Sequence, residues 1–385
     1  GLRPRRLLHI HAPTRHNMPY KHTVRTTTVL HPDGRYESKH EEETTRVPPA
    51  GLGRKAIDII NEKNATKQPW VAFEYYPPRT EAGAKNLVKR FHKMAKQGPA
   101  YGDMTWGAGG STSDLTLDLC TQMLHDVGLE PNMHLTCTNM EKKKVDDALE
   151  GCKRVSMRNI VALRGDPPAG QEKWEATEGG FACALDLVKY IRKHHGDYFC
   201  ISVAGYPEGH PNVIKPVEDE TKLSADELTR VVRNPDGVFV CSDADYKTEM
   251  DYLKAKVDAG ADFIITQMFF ESKLFSKFVN DCRAYGINVP IMPGIMLIQS
   301  YGGFKRMTTL CKSRVPAELM KAIDAIPSED KDEHTRLVKE FGIKEGAKLC
   351  RELLADGHCG LHLYCLNLET VTYGVLKELG LLKPE

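Results

Sequence analysis

The sequence predicts an α/β protein built as a (β/α)8 TIM barrel, and three observations support this fold class. Short apolar segments typical of β-strands alternate with helical segments about eight times over roughly the last 330 residues. The strand segments are apolar on both faces, as in a parallel sheet covered by helices. No G-x-G-x-x-G sequence follows the first strand, and GAGG at 107–110 lacks the third glycine, which disfavours an open nucleotide-binding sheet.

Eight strands are predicted from apolar runs that end in polar or turn-forming residues. In chain order they lie in PWVAFEYYPPRT (69–80), YGDMTW (101–106), NMHLTCT (132–138), NIVALRGDPP (159–168), YFCISVAGYP (198–207), DFIITQMFF (262–270), VPIMPGI (289–295) and LHLYCLN (361–367).

Helices are predicted between the strands, because apolar residues there recur three and four positions apart. After the first strand, Leu87, Phe91 and Met94 share one helical face, and Gly98 ends the helix. The helix after the second strand ends in the same way at Gly128. Each strand is thus followed by a helix that can cover the sheet.

Two connections are longer than a barrel requires. Residues 208–246 contain a predicted hairpin, VVRNPDGVFV, whose turn is NPDG at 234–237, and we assign 213–246 as an insertion. Residues 298–358 contain extra helices before the eighth strand. Long loops at the carboxyl ends of barrel strands usually shape the mouth of a site.

The N-terminal residues differ in composition from the rest of the chain. Six arginines and lysines occur between Arg3 and Arg25, and no acidic residue precedes Asp33. We predict a basic, disordered extension over residues 1–50 and a catalytic barrel over residues 51–385. Transit peptides can have a similar composition, so mitochondrial targeting stays open beside a cytoplasmic location.

Charge and cysteine content narrow the classes of partner. A net charge of +1 creates no strong field for nucleic acid or a membrane surface, and no apolar run approaches the length of a membrane span. The 11 cysteines are scattered through apolar segments, which indicates reduced thiols in the cytoplasm. We expect small-molecule ligands; a homo-oligomer stays open.

The first strand carries a candidate acid. Glu74 lies near its end, among aromatic residues, and Pro77 and Pro78 then stop both strand pairing and helix entry. Burial of such a carboxyl would keep it protonated near neutrality and able to donate a proton. The alternative is a strand-end glutamate in solvent.

Other strands also end in polar residues, and in a barrel these ends meet at one face. The candidates are Thr105, Trp106, His134, Thr136, Arg164, Asp166, Tyr206, Gln267 and Tyr364. Arg164 and Asp166 are two residues apart and should point to the same side, as a site for an anionic ligand or as a structural ion pair. Gln267 should face a ligand or an internal hydrogen-bond network.

No metal centre is expected. His358, Cys359, His362 and Cys365 are close in sequence, but strand alternation sends His362 and Cys365 to opposite faces. No C-x-x-C sequence supports a zinc site.

Several of these segments closely resemble the methylenetetrahydrofolate reductase family, specifically its eukaryotic-type catalytic domain. They are FEYYPPRT, DMTW, MHLTC, ALRGDPP, VAGYPEGHP, AGADFIITQMFF and PIMPGI, and the resemblance covers roughly residues 55–385. It implies a barrel with FAD at the carboxyl ends of the strands, in one-carbon and methionine metabolism. The implied reaction is ping-pong reduction of 5,10-methylenetetrahydrofolate to 5-methyltetrahydrofolate by NADPH, with NADH as an alternative donor. Eukaryotic members also carry a regulatory domain that binds S-adenosylmethionine.

The resemblance also implies roles for individual residues. Glu74 would be the general acid, and Asp166 would contact the pterin and tune the flavin. The cofactor pocket would comprise Thr105, Trp106, His134, Arg164, Gly165, Asp166, Cys183, Ala184, Tyr206, His210, Pro211, Glu249 and Lys256. The substrate would meet Glu74, Tyr75, Tyr76, Pro77, Pro78, Arg79, Asp166, Gln267 and Tyr364. Leu368 stands where the human-type pattern has an arginine, which puts a contact with the folate tail in doubt.

Two other functions stay open from the sequence. One is a flavin-free barrel that binds a pterin for methyl transfer, and the other is a non-catalytic binding scaffold. Flavin content and its reduction by a nicotinamide nucleotide would distinguish them.

Overall fold

A parallel β-barrel forms the centre of the molecule. The computed structural model describes residues 20–30, 36–107, 112–137, 140–165, 179–234 and 236–384. The strands are β1 (Tyr20–Leu30), β2 (Tyr36–Arg46), β3 (Trp70–Tyr75), β4 (Gly102–Met104), β5 (Pro131–Thr136), β6 (Asn159–Leu163), β7 (Cys200–Gly205), β8 (Ile214–Pro216), β9 (Val232–Asn234), β10 (Gly237–Cys241), β11 (Phe263–Thr266), β12 (Ile291–Met292), β13 (Gly294–Met296) and β14 (Gly360–Tyr364).

The barrel closes at a strand that a proline interrupts. The sheet order is β12-β11-β7-β6-β5-β4-β3-β14-β13, and the neighbouring strands are parallel. Pro293 has no N–H to donate and separates β12, which pairs with β11, from β13, which pairs with β14. Since β12 and β13 form one interrupted strand, the ring has eight strands, and the predicted (β/α)8 fold class is confirmed.

Twelve α-helices are described, and most of them cover the barrel. They are α1 (Ala56–Ala65), α2 (Glu81–Ala95), α3 (Ser113–Gln122), α4 (Lys142–Arg154), α5 (Ala184–His195), α6 (Ala225–Arg230), α7 (Asp243–Asp258), α8 (Ser272–Ala284), α9 (Tyr301–Leu310), α10 (Ala317–Asp324), α11 (Lys331–Ala355) and α12 (Glu369–Glu378). A π-helical turn, Met123–Val127, extends α3 and ends at Gly128, whose φ of 79° explains the predicted stop. In the described part of the chain, no helix has the length and apolar character needed to cross a membrane.

Strand alternation creates two separate packing layers. On β3, Val71, Phe73 and Tyr75 pack outward against the helices, where Phe91 of α2 is fully buried. Trp70 and Ala72 point into the barrel and pack in an apolar cluster with Ile60 of α1, near the amino ends of the strands. Burying each large side chain contributes about 1.5–3 kcal/mol. The apolar layer fills one end of the barrel, so polar inward-facing residues are left to the other end.

Both long connections form the structures that the sequence predicts. β9 and β10 pair as an antiparallel hairpin with Asn234 opposite Gly237, and β8 joins them as a third strand. The segment before the last barrel strand contains α9, α10 and α11, which enclose a small core of their own around Ile298, Phe304 and Ile323.

The prediction of a disordered N-terminal extension needs correction over residues 20–46. β1 and β2 pair as an antiparallel hairpin, with Arg25 opposite Glu41 and Thr27 opposite Lys39. The reason is local: β1 is rich in threonine and valine, which favour strands. Residues 1–19 and 31–35 lie outside the described residues.

Candidate active site at the carboxyl ends of the barrel strands

Inward-facing side chains meet around a cavity of about 430 Å³ where the barrel strands end. The predicted residues that line it are Glu74, Thr105, Trp106, His134, Thr136, Arg164, Gly165, Tyr206, His210, Gln267 and Tyr364. They come from strands far apart in the sequence, and closure of the barrel brings them together. Polar groups from several strand ends in one cavity are the arrangement found in barrel enzymes.

A second cavity, of about 350 Å³, adjoins the first between the ends of β6 and β7 and the helices α5 and α7. It is lined by the predicted residues Arg164, Cys183, Ala184, Tyr206, His210, Glu249 and Lys256. Arg164, Tyr206 and His210 line both cavities. The two together form an elongated site suited to an extended ligand.

Two cationic side chains, Arg164 and Lys256, line the second cavity. The Lys256 amine is buried, donates to the Ala204 carbonyl oxygen at 2.9 Å, and lies in the same cavity as Arg164. Burial lowers the pKa of Lys256 to about 8, although the charge of Glu249 acts to raise it. Burial, together with Arg164 and Lys256, lowers the pKa of His210 to about 4, so its imidazole is neutral at pH 7. An anionic group bound in this cavity would stabilise the charged form of Lys256 and raise its pKa again.

Two buried polar atoms in the first cavity lack partners. Trp106 Nε1 and Thr136 Oγ1 have no hydrogen-bond partner among the described residues. An unsatisfied buried polar group costs about 1–3 kcal/mol. A polar ligand in this cavity would supply the missing partners.

Glu74 lies against two imidazoles, and the aromatic side chains of Trp106 and Tyr364 line the same cavity. Its Oε2 is 3.6 Å from His134 Nε2 and 3.7 Å from His362 Nε2. About 22% of its side chain is exposed, toward the cavity that it lines. Glu74 can therefore face a ligand on one side and exchange protons with histidines on the other.

Asp103 completes this cluster. Its Oδ2 accepts a hydrogen bond from His134 Nε2 at 3.0 Å, and its Oδ1 accepts one from Asn132 Nδ2 at 2.9 Å. Polar atoms of Glu74, Asp103 and His134 lie within 4.8 Å of one another, close enough to surround a cation. Because both Asp103 oxygens already accept hydrogen bonds, we interpret the group as a hydrogen-bonded cluster; the expectation of no metal stays a prediction.

Several residues assigned to the substrate lie elsewhere. Tyr75 is fully buried with its ring against Phe91 and its hydroxyl 3.6 Å from Met94 Sδ, because strand alternation turns it away from Glu74. The prediction for the Tyr75 side chain is therefore corrected. Tyr76, Pro77, Pro78 and Arg79 form the loop that follows and do not line either cavity, and neither does Pro211. Asp166 lies outside the described residues, so its pairing with Arg164 stays a prediction.

Sequence analysis missed residues on the inner wall. Asp103 is fully buried and Leu366 lines the cavity in a left-handed conformation, with φ of 52°. A signal for Asp103 was present, because an acid inside an apolar strand, two residues before Thr105, must face the same side as Thr105. His362 was considered only as a metal ligand, although its position on β14 places it beside Glu74.

The fold and the site define the class of this protein. It is a (β/α)8 barrel with a polar cavity at the carboxyl ends of its strands, where barrel enzymes have their active sites. More specifically, the chain belongs to the methylenetetrahydrofolate reductase family, whose model matches residues 59–380.

Similar proteins agree with this assignment. The chain is 48% identical to the Oryza sativa "Probable methylenetetrahydrofolate reductase (NADH)" over 86% of this chain and 51% of that protein. It is 47% identical to the Arabidopsis thaliana "Methylenetetrahydrofolate reductase (NADH) 1", over 85% of this chain and 51% of that protein. It is 34% identical to the Caenorhabditis elegans "Probable methylenetetrahydrofolate reductase (NADPH)", over 90% of this chain and 48% of that protein. The chain therefore spans about half the length of these relatives.

Proposed function

We propose that this barrel reduces 5,10-methylenetetrahydrofolate to 5-methyltetrahydrofolate with FAD and a nicotinamide donor, by a ping-pong mechanism. The observation that carries the proposal is the joining of two cavities in a member of this family. One is lined by the Lys256 and Arg164 cations, and the other presents a carboxyl, Glu74.

The residues present fit FAD. The elongated double cavity has room for a dinucleotide, and the buried Lys256 amine with Arg164 would neutralise its phosphates. Unpartnered Trp106 Nε1 and Thr136 Oγ1 offer a donor and a hydroxyl to a polar ring system. When bound, FAD supplies hydride acceptance from the nicotinamide and hydride donation to the folate.

The chain itself supplies orientation and a proton. Glu74 would donate a proton to the folate nitrogen that leaves when the methylene bridge opens. Gln267, whose Oε1 accepts the Met268 N–H at 2.9 Å, is held at the opposite wall, where it would orient the pterin. Met268, Met296 and Met307 add an apolar surface against which a flat ring can pack without water.

The proposal also concerns which nicotinamide nucleotide, NADH or NADPH, donates the hydride. The resemblance implied NADPH, whereas the two plant relatives reported above are named for NADH. These names favour NADH as the donor, and both nucleotides should be compared at equal concentrations. Cytoplasmic location stays part of the proposal.

Anaerobic absorbance spectroscopy tests the proposal. We expect the purified protein to be yellow, to bleach with NADH or NADPH, and to regain colour with 5,10-methylenetetrahydrofolate. Arg164→Ala should weaken flavin retention about tenfold or more, since it removes a cation from both cavities. Arg158→Ala is the matched control, because it removes an arginine just before the same strand, at the other end of the barrel.

The outcomes separate the candidate functions. A colourless protein that binds folate without flavin would support the methyl-transfer alternative. A flavin that neither nucleotide reduces would support the scaffold alternative. Equal flavin retention in Arg164→Ala and the parent would contradict the assigned pocket.

A further inference from the structure

Behind Glu74, away from the cavity opening, lies a buried aspartate–histidine pair. We call Asp103 and His134 the inner pair. Asp103 is fully buried, and His134 is 9% exposed. His134 Nε2 lies between two carboxylates, 3.0 Å from Asp103 Oδ2 and 3.6 Å from Glu74 Oε2. One ring nitrogen thus faces both the buried acid and the candidate proton donor.

The environment of the inner pair favours a protonated imidazole. Burial opposes the charge, but the hydrogen bond that His134 donates to Asp103 and the charges of Glu74 and Asp103 outweigh it and raise the pKa of His134. A buried carboxylate is costly unless it is paired and hydrogen-bonded, and His134 and Asn132 provide both for Asp103.

The other titratable groups that face the inner pair are His362, Tyr101 and Tyr364. His362 is fully buried, its Nε2 is 3.9 Å from Asp103 Oδ2, and its ring nitrogens have no hydrogen-bond partner among the described residues. Burial, with the charges of Asp103 and Glu74, raises the pKa of both Tyr101 and Tyr364, which keeps these phenols neutral. His134 and His362 lie at similar distances from Glu74, but within this group His134 is the imidazole that is hydrogen-bonded to Asp103.

We propose that the inner pair reloads Glu74 with a proton after each folate reduction, with Asp103 as the positioning residue; this rests on the proposed function. Glu74 gives its proton to the folate nitrogen and becomes a carboxylate. The Nε2–H bond of His134 then breaks as a Glu74 O–H bond forms, which leaves a neutral imidazole. Because that imidazole presents a bare Nε2 to the Asp103 carboxylate, it takes up a proton again from water in the cavity.

Asp103→Asn tests the proposal, because it keeps the shape of the side chain and removes its charge. We expect the pKa of His134, measured by NMR on ¹³C-histidine protein assigned with His134→Gln, to fall by about one unit or more. The basic limb of steady-state turnover should move to lower pH by a similar amount. Single-turnover flavin reoxidation should stay within about threefold of the parent, since one turnover requires no reloading of Glu74.

Two further variants separate this role from a structural one. Asp103→Glu restores the charge and should recover part of the pH profile. Glu130→Gln is the matched control: Glu130 is also buried, accepts the Arg54 N–H at 2.8 Å, and lies just before β5, at the other end of the barrel. It should leave both the pKa of His134 and the pH profile of steady-state turnover unchanged.

Each outcome has a defined consequence. A parent-like His134 titration and profile in folded, flavin-loaded Asp103→Asn would overturn the inner pair as a reloading device. If Asp103→Asn loses flavin, His134→Gln with excess FAD decides, because an imidazole that reloads Glu74 predicts that later turnovers slow at least tenfold more than the first. Equal loss in the first and later turnovers would overturn the proposal. A parent that neither bleaches nor reoxidises contradicts the proposed function instead, and the NMR titration still tests the inner pair.

Discussion

Glu74 and Tyr75 are adjacent in the sequence, yet they lie on opposite sides of the barrel wall. Glu74 faces the cavity, whereas Tyr75 is packed against Phe91 and Met94 of α2. A motif match covers both residues equally, but only one of them can reach a ligand with its side chain. Strand alternation decides between them.

Glu74→Gln should separate the two half-reactions. The amide keeps the shape of the carboxyl but has no acidic proton, so nicotinamide bleaching should persist while reoxidation by methylenetetrahydrofolate falls by about 10²–10⁴-fold. Rapid mixing of each half-reaction provides the measurement. Tyr75→Phe is the neighbouring control and should change neither rate; near-parent reoxidation in Glu74→Gln would assign the acid role to another group.

At the level of elements, a short loop fixes the segment that follows Glu74. After β14, Leu366 and Asn367 have φ angles of 52° and 58°, a left-handed conformation that asparagine tolerates better than most residues. Asn367 Oδ1 accepts the Tyr76 N–H at 3.0 Å, and its Nδ2 donates to the Tyr76 carbonyl oxygen at 2.8 Å. The loop therefore holds the backbone of Tyr76, two residues after Glu74.

Asn367→Ala should lower the free energy of unfolding by about 2–4 kcal/mol, since it removes two hydrogen bonds and adds left-handed strain. It should also slow folate reoxidation more than nicotinamide reduction, because Glu74 loses support. Chemical denaturation and rapid mixing measure the two effects. Asn367→Gly removes the same hydrogen bonds without adding left-handed strain. If this variant is as stable as the parent, the contacts with Tyr76 contribute nothing to stability.

A buried carboxyl ties the insertion to the barrel. Glu208, after β7, is 4% exposed and accepts the Arg314 N–H at 2.7 Å, while Arg314 Nη1 donates to the Val231 carbonyl oxygen at 3.1 Å. Burial raises the pKa of Glu208 to about 8. The fold thus favours the protonated carboxyl, and the stability that this provides is fully present below about pH 4.5 and lost as pH rises through about 8.

Glu208→Gln should remove this pH dependence. We expect the melting temperature of the variant to match that of the parent near pH 5 and to exceed it by about 2–5 °C at pH 9, where the parent buries a charge. Scanning calorimetry at both pH values provides the comparison. A difference that does not change with pH would show that Glu208 does not titrate in this range.

At the scale of the whole molecule, the hairpin β1–β2 is an addition to a barrel that closes without it. Arg46 connects it to the barrel: its guanidinium lies 3.2 Å from Asp126, and its carbonyl oxygen accepts from Ser156 Oγ at 2.9 Å. α1 is different, because Ala56 and Ile60 are fully buried in the cluster at the amino ends of the strands.

Removal of residues 1–45 should therefore leave the barrel and its turnover intact, with a change in melting temperature of about 2 °C or less. Circular dichroism and steady-state assays measure this. Removal of residues 1–66 is the contrasting truncation and should destabilise the barrel strongly, since it deletes buried side chains of α1. A large loss of turnover or of melting temperature in the shorter truncation would show that the hairpin stabilises the barrel.

Local chemistry in the sequence was enough to predict the barrel strands, the helices that follow them and the hairpin at Asn234–Gly237. Apolar periodicity and turn residues such as Gly98 and Gly128 act over a few positions, and the barrel followed from their repetition. The polar strand ends also placed Glu74, His134 and Arg164 around one site, and Lys256 was added by the resemblance to the family.

Only the tertiary structure decided which side chains meet. Asp103 and His362 flank Glu74 because barrel closure pairs β14 with β3 and β3 with β4, a relation between residues almost 300 positions apart. The charges around His134, which lies on β5, likewise come from two other strands, β3 and β4. Local pattern determines which face of a strand a residue occupies, whereas the identity of its neighbours depends on long-range packing that no short segment encodes.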